Sequence, residues 1–277
     1  MTPRLLVTGA GGMVGSYAKE IFTDHELILT DIVDGLPRLD VCDPAEVKAA
    51  VAELKPAVVL HLAAATDVDR CEQEPDGAYR SNAIGTQNVA LACQAAGIPL
   101  VYVSTAGVFG GDKPEPYIEF DAPRPVNVYG LSKLAGEQIV AALLQQYYIV
   151  RAGWMIGGGP RDKKFVGKIA RLGSPTYARD FLAGIQRLLP TGQYGLYHLA
   201  NKGCGTRYEV ALKVRALLGR PEVEIVPVSS AQFPLPAPRA RSEAMRNLKL
   251  ELLGIHARTW EDALQEYVST ELVPLLT

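Results

Sequence analysis

Tyr129 and Lys133 stand four residues apart in a helical pattern, and their types suit acid–base chemistry. Side chains at i and i+4 share one helix face. A nearby ammonium favours the ionised phenol and lowers its pKa towards working pH. Such a phenol gives or takes a proton at a carbonyl or alcohol oxygen. A Y-x-x-x-K pair alone is common on helices. Here it follows an apolar run that ends in Ser104 and Thr105. A hydroxyl at the C-terminal end of a parallel strand faces the crevice where open α/β sheets bind ligands. Thr105, Tyr129 and Lys133 are therefore expected to act as a hydroxyl–phenol–amine triad.

A second pattern explains what such a triad would work beside. Gly9, Gly12 and Gly15 form G-x-x-G-x-x-G directly after the first apolar run, with Met13 and Val14 inside it. A glycine turn there lets backbone approach a pyrophosphate, and the following helix start offers free N–H groups. The strand–turn–helix context makes this a dinucleotide-binding signal. Asp31 ends the second apolar run, 16 residues after Gly15. A carboxylate there accepts from the adenosine ribose hydroxyls and repels a 2′-phosphate, which favours NAD(H), with NADP(H) possible. Asp40 and Val41 fall in a later loop that can flank the adenine. Lys133 can bond the nicotinamide ribose.

Stepping along the chain, strands are predicted over Arg4–Thr8, Glu26–Thr30, Ala57–Leu62, Leu100–Ser104 and Tyr148–Ala152. Helices are predicted over Met13–Phe22, Pro44–Leu54, Pro75–Ala96 and Asn127–Gln146. The strands are continuously apolar, as strands buried on both faces of a parallel sheet are. This β–α alternation predicts an α/β, Rossmann-type, doubly wound parallel sheet. After Gly153 the texture changes. Helices are predicted over Lys163–Leu172, Asp180–Leu189, Arg207–Leu218 and Trp260–Leu272, with short strands at Tyr194–Ala200 and Val223–Val228. That reads as a smaller C-terminal α+β substrate lobe. The expected division is residues 1–152 for the dinucleotide and mainly 153–277 for the substrate, with segments crossing between them.

Composition narrows the function. Hydrophobic residues make up 48% of 277 and charged residues 21%, so a folded core is expected rather than disorder. The net charge of −2 excludes a bulk basic footprint for nucleic acid or a polybasic membrane patch. Cys42, Cys71, Cys93 and Cys204 form no C-x-x-C pair, so reduced, mostly buried thiols and a cytoplasmic location are expected. The first apolar run, Leu5 to Val7, is too short to span a bilayer. No metal site is expected: Asp67, Asp69, Glu72 and Glu74 read as a solvated face and helix start. His61 reads as structural. No G-x-S-x-G hydrolase elbow exists.

Four stretches together resemble the extended short-chain dehydrogenase/reductase superfamily. They are Gly9–Gly15, His61–Ala64 (HLAA), Ser104–Gly110 (S-T-x-x-V-F-G) and Tyr129–Glu137 (Y-G-x-S-K-x-x-G-E). Within it the chain most resembles the dTDP-4-dehydrorhamnose reductases and their sugar-nucleotide-binding relatives. Ala64–Pro75, Pro125–Glu137, Arg151–Trp154 and Ser174–Asp180 carry that likeness.

The resemblance implies a nicotinamide-dependent reductase of a nucleotide-linked 4-ketosugar, with a homodimer as a possible assembly. Thr105 would bond the 4-keto oxygen, Tyr129 would protonate it, and Lys133 would hold the ribose. Leu62, Ala63, Ala64 and Ala65 would line the cofactor. Thr66, Val68, Ser104 and Trp154 would line the sugar, and Arg239 would approach the diphosphate. The chain also departs from the pattern. Ala106 and Gly107 stand where an Asp and an aromatic are usual, and Glu243 stands where a Ser is usual. Without an Asp–Glu pair after Thr105, a 4,6-dehydratase is disfavoured. A 4-epimerase usually needs a larger substrate lobe. A non-catalytic regulatory subunit is the remaining alternative, against which the intact triad argues. Relatives carry a longer stretch between Leu172 and Gly173. Either this chain lacks it or a mobile piece is skipped in the numbering, and the second is expected.

Overall fold

The computed structural model describes residues 2–158, 172–227 and 234–275. Five apolar segments form β1 (Arg4–Thr8), β2 (Glu26–Thr30), β3 (Val58–His61), β4 (Leu100–Thr105) and β5 (Tyr147–Ala152). Between them run α1 (Ala18–Ile21), α2 (Pro44–Leu54), α3 (Val68–Gln73), α4 (Pro75–Tyr79), α5 (Thr86–Ala96) and α6 (Val128–Leu143). The second half adds β6 (Trp154–Ile156), β7 (Leu172–Gly173), β8 (Pro175–Tyr177), α7 (Ala178–Leu188), β9 (Gly195–Leu199), β10 (Gly205–Thr206) and α8 (Arg207–Leu217). It ends with β11 (Ser242–Glu243), α9 (Leu248–Leu252) and α10 (Trp260–Tyr267).

The main sheet has six parallel strands in the order β2-β1-β3-β4-β5-β9. It is Rossmann-type, as the continuously apolar strands foretold: Leu5, Leu6, Val7, Val59 and Leu60 are all sealed from solvent. Helices cover both faces. One face packs Val47, Val89, Cys93 and Val140 from α2, α5 and α6 against Leu6, Val59 and Ile149. The other packs Phe181, Ile185 and Leu264 from α7 and α10 against Leu5, Val7 and Val150. β9 comes from the second half of the chain, which thus crosses back into the main sheet. Two small sheets, β6-β8 and β10-β7-β11, build the α+β remainder.

Chain order reverses between β1 and β3, leaving a crevice at their C-terminal ends, where such sheets bind ligands. Gly9, at φ +71°, turns there. A Cβ on it would fall 2.4 Å from the Ala63 nitrogen, so only glycine lets the two loops touch. Asp43 caps α2 by accepting from Ala45 and Glu46, and Pro44 fills the first turn. Asn127 caps α6 by accepting from Gly130, and its amide donates to the Pro238 carbonyl at 2.9 Å.

Several expectations are corrected. The helix expected over Met13–Phe22 is only a 3₁₀ turn at Gly15–Tyr17 and the one-turn α1, because the glycine turn occupies its first half. The run Pro75–Ala96 is interrupted by a π-helical stretch at Arg80–Gly85. Val223–Pro227 form no strand; Val223 and Val226 are exposed, so this apolar run has no sheet face to bury. Val228 lies outside the described residues. So does most of the helix expected over Lys163–Leu172, while Leu172 itself is in a strand. Leu172 and Gly173 are consecutive residues of β7, so no piece is skipped between them. Cys71 and Cys93 are buried as free thiols, whereas Cys42 is half-buried and Cys204 exposed.

Candidate active site

One cleft of about 1520 Å³ runs from the glycine turn to Trp154. Small-ligand pockets are typically about 300–1,000 Å³, so this one has room for two ligands side by side. The structure brings every singled-out residue to its lining. At one end are Gly9, Gly12, Met13, Val14, Gly15, Asp31, Asp40 and Val41. Along the middle are Leu62, Ala63, Ala64 and Ala65, and at the other end Thr66, Val68, Ser104, Thr105, Tyr129, Lys133, Trp154 and Arg239.

The nucleotide end fits a dinucleotide. A Cβ on Gly15 would meet the Ala10 oxygen at 2.4 Å, so the helix start can sit tight on the turn. A Cβ on Gly12 meets only the Gly9 oxygen, at 3.4 Å, and faces the space a pyrophosphate would use. Asp31 is held by the Gly11 N–H at 2.8 Å and the Ile32 N–H at 2.6 Å. Arg38 bridges to Asp31 through backbone, but its guanidinium turns to Asp40 at 3.5 Å and Glu46 at 3.8 Å.

The middle is fixed by a residue that sequence reasoning missed. Asn82, fully buried in the π-helical stretch, accepts from the Ala65 N–H at 2.8 Å and donates to the Ala65 carbonyl at 3.0 Å. It also donates to Ser132 Oγ at 2.9 Å. One side chain thus ties the Ala63–Ala65 loop to α6.

The triad end is built on close approaches. A Cβ on Gly130 would lie 2.3 Å from the Gly107 oxygen, and one on Gly136 would lie 2.3 Å from the Tyr102 hydroxyl. These two glycines let α6 press Tyr129 and Lys133 against the end of β4. Thr105 accepts from the Gly107 N–H at 3.0 Å and shares a hydrogen bond with the Tyr129 phenol.

The expected lowering of the Tyr129 pKa is not found. Burial pushes the phenol up to about 12, the Thr105 hydrogen bond holds it back, and Cys71 and Glu243 add to the rise. Lys133 Nζ lies over the Tyr102 ring instead, 4.2 Å from its centroid. Burial pulls Lys133 down to about 7, against the opposing Glu137 carboxylate.

Glu137, the last residue of the α6 motif, accepts from Arg151 at 2.7 and 2.8 Å and from Ser104 Oγ at 2.5 Å. The Ser104 hydroxyl is thereby committed to Glu137 although the residue borders the cleft. Trp154 lies against Gly173 and donates its indole N–H to Glu243 at 2.6 Å. Arg239 is paired with Asp69 at 2.7 Å. Asp67 caps α3, and Glu72 accepts from the Val128 N–H at 2.9 Å. Asp67 thus marks a helix start as expected, while Asp69 and Glu72 are engaged rather than simply solvated. Arg207 also lines the cleft, and nothing in its sequence context marked it.

A parallel sheet with a glycine turn at its switch point, and a strand-end hydroxyl beside Y-x-x-x-K, defines a Rossmann-type protein of the short-chain dehydrogenase/reductase kind. The particular family follows from sequence comparison. The chain belongs to the RmlD substrate-binding domain family, whose model matches residues 3–273. It is 34% identical to a dTDP-4-dehydrorhamnose reductase of Mycolicibacterium smegmatis, over 97% of this chain and 86% of that protein. It is 36% identical to one from Streptomyces griseus, over 95% and 92%. The crystal structure of a dTDP-4-dehydrorhamnose reductase from Bacillus anthracis in complex with NADP superimposes with a TM-score of 0.90. It is 36% identical and covers 97% of this chain and 99% of that one. A UDP-glucose 4-epimerase of Thermus thermophilus, at 24% identity and a TM-score of 0.81, shares the fold. No helix among the described residues is long and apolar enough to cross a membrane.

Proposed function

We propose that this chain is an NAD(P)H-dependent reductase of a nucleotide-linked 4-ketosugar, of the dTDP-4-dehydrorhamnose reductase type. The observation that carries this reading is the meeting of Thr105, Tyr129 and Lys133 at one end of a cleft whose other end is the glycine turn. When bound, the reduced nicotinamide supplies a hydride to C4 of the sugar. Thr105 holds the ketone oxygen by a hydrogen bond. Tyr129 donates the proton that completes the hydroxyl. A phenol pushed up to about 12 is protonated at neutral pH, which is the form a reduction needs. Lys133 holds the ribose. The fold contributes position, which converts an encounter into an oriented contact.

Trp154, Thr66 and Val68 form the sugar wall, and Ala63–Ala65 the cofactor wall. Residues 1–152 mainly serve the dinucleotide and 153–277 mainly the sugar. Asp31, with Arg38 turned to Asp40 and Glu46, favours NADH over NADPH. A cytoplasmic location and a homodimer belong to this proposal; the dimer is checked by sedimentation.

The deciding experiment is single-turnover absorbance of NADH and NADPH with dTDP-4-keto-6-deoxysugars, for the wild type and Tyr129→Phe. Consumption that Tyr129→Phe abolishes supports the reading. No consumption, with nucleotide binding intact, sinks it for those sugars.

A further inference from the structure

The geometry points to Arg207 as the residue that grips the diphosphate of the substrate, an inference that rests on the nucleotide-sugar reading above. Arg207 borders the cleft, and its guanidinium carbon lies 4.6 Å from the centre of the Trp154 ring. Its Nε is sealed from solvent with no hydrogen-bond partner among the described residues. It takes part in no ion pair there. Burial pulls its pKa down; the Glu243 carboxylate opposes this and the Arg239 charge adds to it.

A buried donor without an acceptor is rare in folded proteins, and Arg207 borders the cleft with its charge unpaired among the described residues. A guanidinium presents a planar fork that matches phosphate oxygens. Three of the other cleft arginines have partners for their side chains, and the fourth, Arg80, stands away from the sugar wall. Arg239 donates to Asp69 at 2.7 Å and to the Ala237 carbonyl at 2.8 Å. Arg215 donates to the Val223 carbonyl, and Arg220 faces Glu222. Arg80 stands by Cys42 at the adenine end. The expectation that Arg239 meets the diphosphate therefore passes to its neighbour.

The placement is set by the small sheet. Thr206 of β10 and Ser242 of β11 both pair with Leu172, and Glu243 pairs with Gly173, the residue Trp154 lies against. This brings Arg207, Glu243 and Trp154 together at the sugar end. In a nucleoside-diphosphate sugar the phosphates adjoin the sugar, so a cation beside the sugar-wall tryptophan meets their charge.

The test is calorimetric titration of the full chain with dTDP, with UDP and with thymidine, and with NADH as the control for folding. Arg207→Gln should weaken dTDP about tenfold to a hundredfold, the loss of charged hydrogen bonds. Arg207→Lys should weaken it less. Thymidine and NADH should bind as to the wild type. Glu243→Gln should tighten dTDP, because a carboxylate facing the bound phosphates is neutralised while Trp154 keeps an acceptor. If Arg207→Gln binds dTDP like the wild type, the assignment is overturned and the nucleotide-sugar reading stands. If the wild type binds neither dTDP nor UDP, that reading falls and this assignment falls with it. Should Arg207→Gln fail to fold, wild-type dTDP binding by both Arg207→Lys and Glu243→Gln overturns the assignment.

Discussion

Lys133 Nζ sits 4.2 Å from the centroid of the Tyr102 ring, so the charge that Y-x-x-x-K spacing assigns to Tyr129 rests instead on a neighbouring π face. The Tyr102 hydroxyl closes the contact by donating to the Lys133 carbonyl at 3.1 Å. Tyr129, left to desolvation, stays protonated. The titrating member of the pair near neutrality is the lysine.

A pH dependence follows. Burial pulls Lys133 down to about 7, so it is charged below that pH and neutral above it. The charged form is the stronger donor to the ribose, with three N–H groups and no lone pair. We expect kcat/KM for NADH, which reports the free enzyme, to be level below pH 7 and to fall about tenfold per pH unit above it. Lys133→Met should remove this limb and lower the plateau. A wild-type profile flat from roughly pH 6 to 9 would overturn the role of Lys133.

On the proposed roles, removing the phenol should cost more than removing the hydroxyl that holds the ketone oxygen. Tyr129→Phe is expected to slow single-turnover reduction about 10²- to 10⁴-fold. Thr105→Ala should slow it about tenfold to a hundredfold, the worth of one hydrogen bond to a group gaining charge. NADH affinity should change little in either. Stopped-flow absorbance at saturating NADH separates the two, and equal rates for Tyr129→Phe and wild type would remove the phenol from the mechanism.

Cofactor choice should turn on Asp31. Its carboxylate is pinned by the Gly11 N–H at 2.8 Å and cannot swing away from an incoming 2′-phosphate. Wild type should bind NADH more tightly than NADPH. Asp31→Ala should tighten NADPH and weaken NADH, each about tenfold, the scale of one charged hydrogen bond gained or lost. Fluorescence titration measures both. Tighter NADPH binding by the wild type would show that Asp31 does not discriminate.

The nucleotide half of the molecule was legible because its signals are local. Buried parallel strands read as unbroken apolar runs, and α2 was predicted to the residue because Pro44 suits its first turn. The glycine turn and the triad were legible from residue type and spacing. The rest depends on contacts far apart in sequence. Asn82 reaches Ala65 and Ser132 across 17 and 50 residues, and no local pattern marks it. Arg207 meets Trp154 only because β10 and β7 pair. Burial of Tyr129, which depends on packing between distant elements, reversed the expected pKa shift for the same reason. Val223–Val228 misled because it is an apolar run whose Val223 and Val226 are exposed, with no sheet to join.

Acid should unfold this protein through two histidines. His61 lies between the Thr8 and Thr86 hydroxyls, at 2.7 and 3.2 Å, and burial pulls its pKa down to about 3. His198 is pulled to about 3 by burial and by Arg151. Unfolded, both take a proton near pH 6.5; folded, neither does until about 3. Their contribution is intact above 6.5 and lost as pH falls towards 3. Each lowers the folding equilibrium constant about tenfold per pH unit in that window. Urea denaturation from neutral pH downwards should show this slope, and His61→Gln should remove one proton's share of it. A slope unchanged in His61→Gln would mean that His61 titrates normally.

The Arg151–Glu137 pair links stability to the same lysine. Both side chains are buried, and Glu137 also holds Ser104. Arg151→Met leaves a carboxylate unpaired in the core, which should cost about 3–5 kcal/mol. Replacing both partners by methionine removes the orphan, so Glu137→Met with Arg151→Met should recover most of that loss. Function should not recover with it. Glu137 is the group that opposes the burial of Lys133, so its removal lowers the lysine pKa further. The falling limb of kcat/KM should then begin at a lower pH than in wild type, while chemical denaturation reports near-native stability. Restored stability with an unmoved limb would show that Glu137 is a scaffold for Ser104 and Arg151 alone.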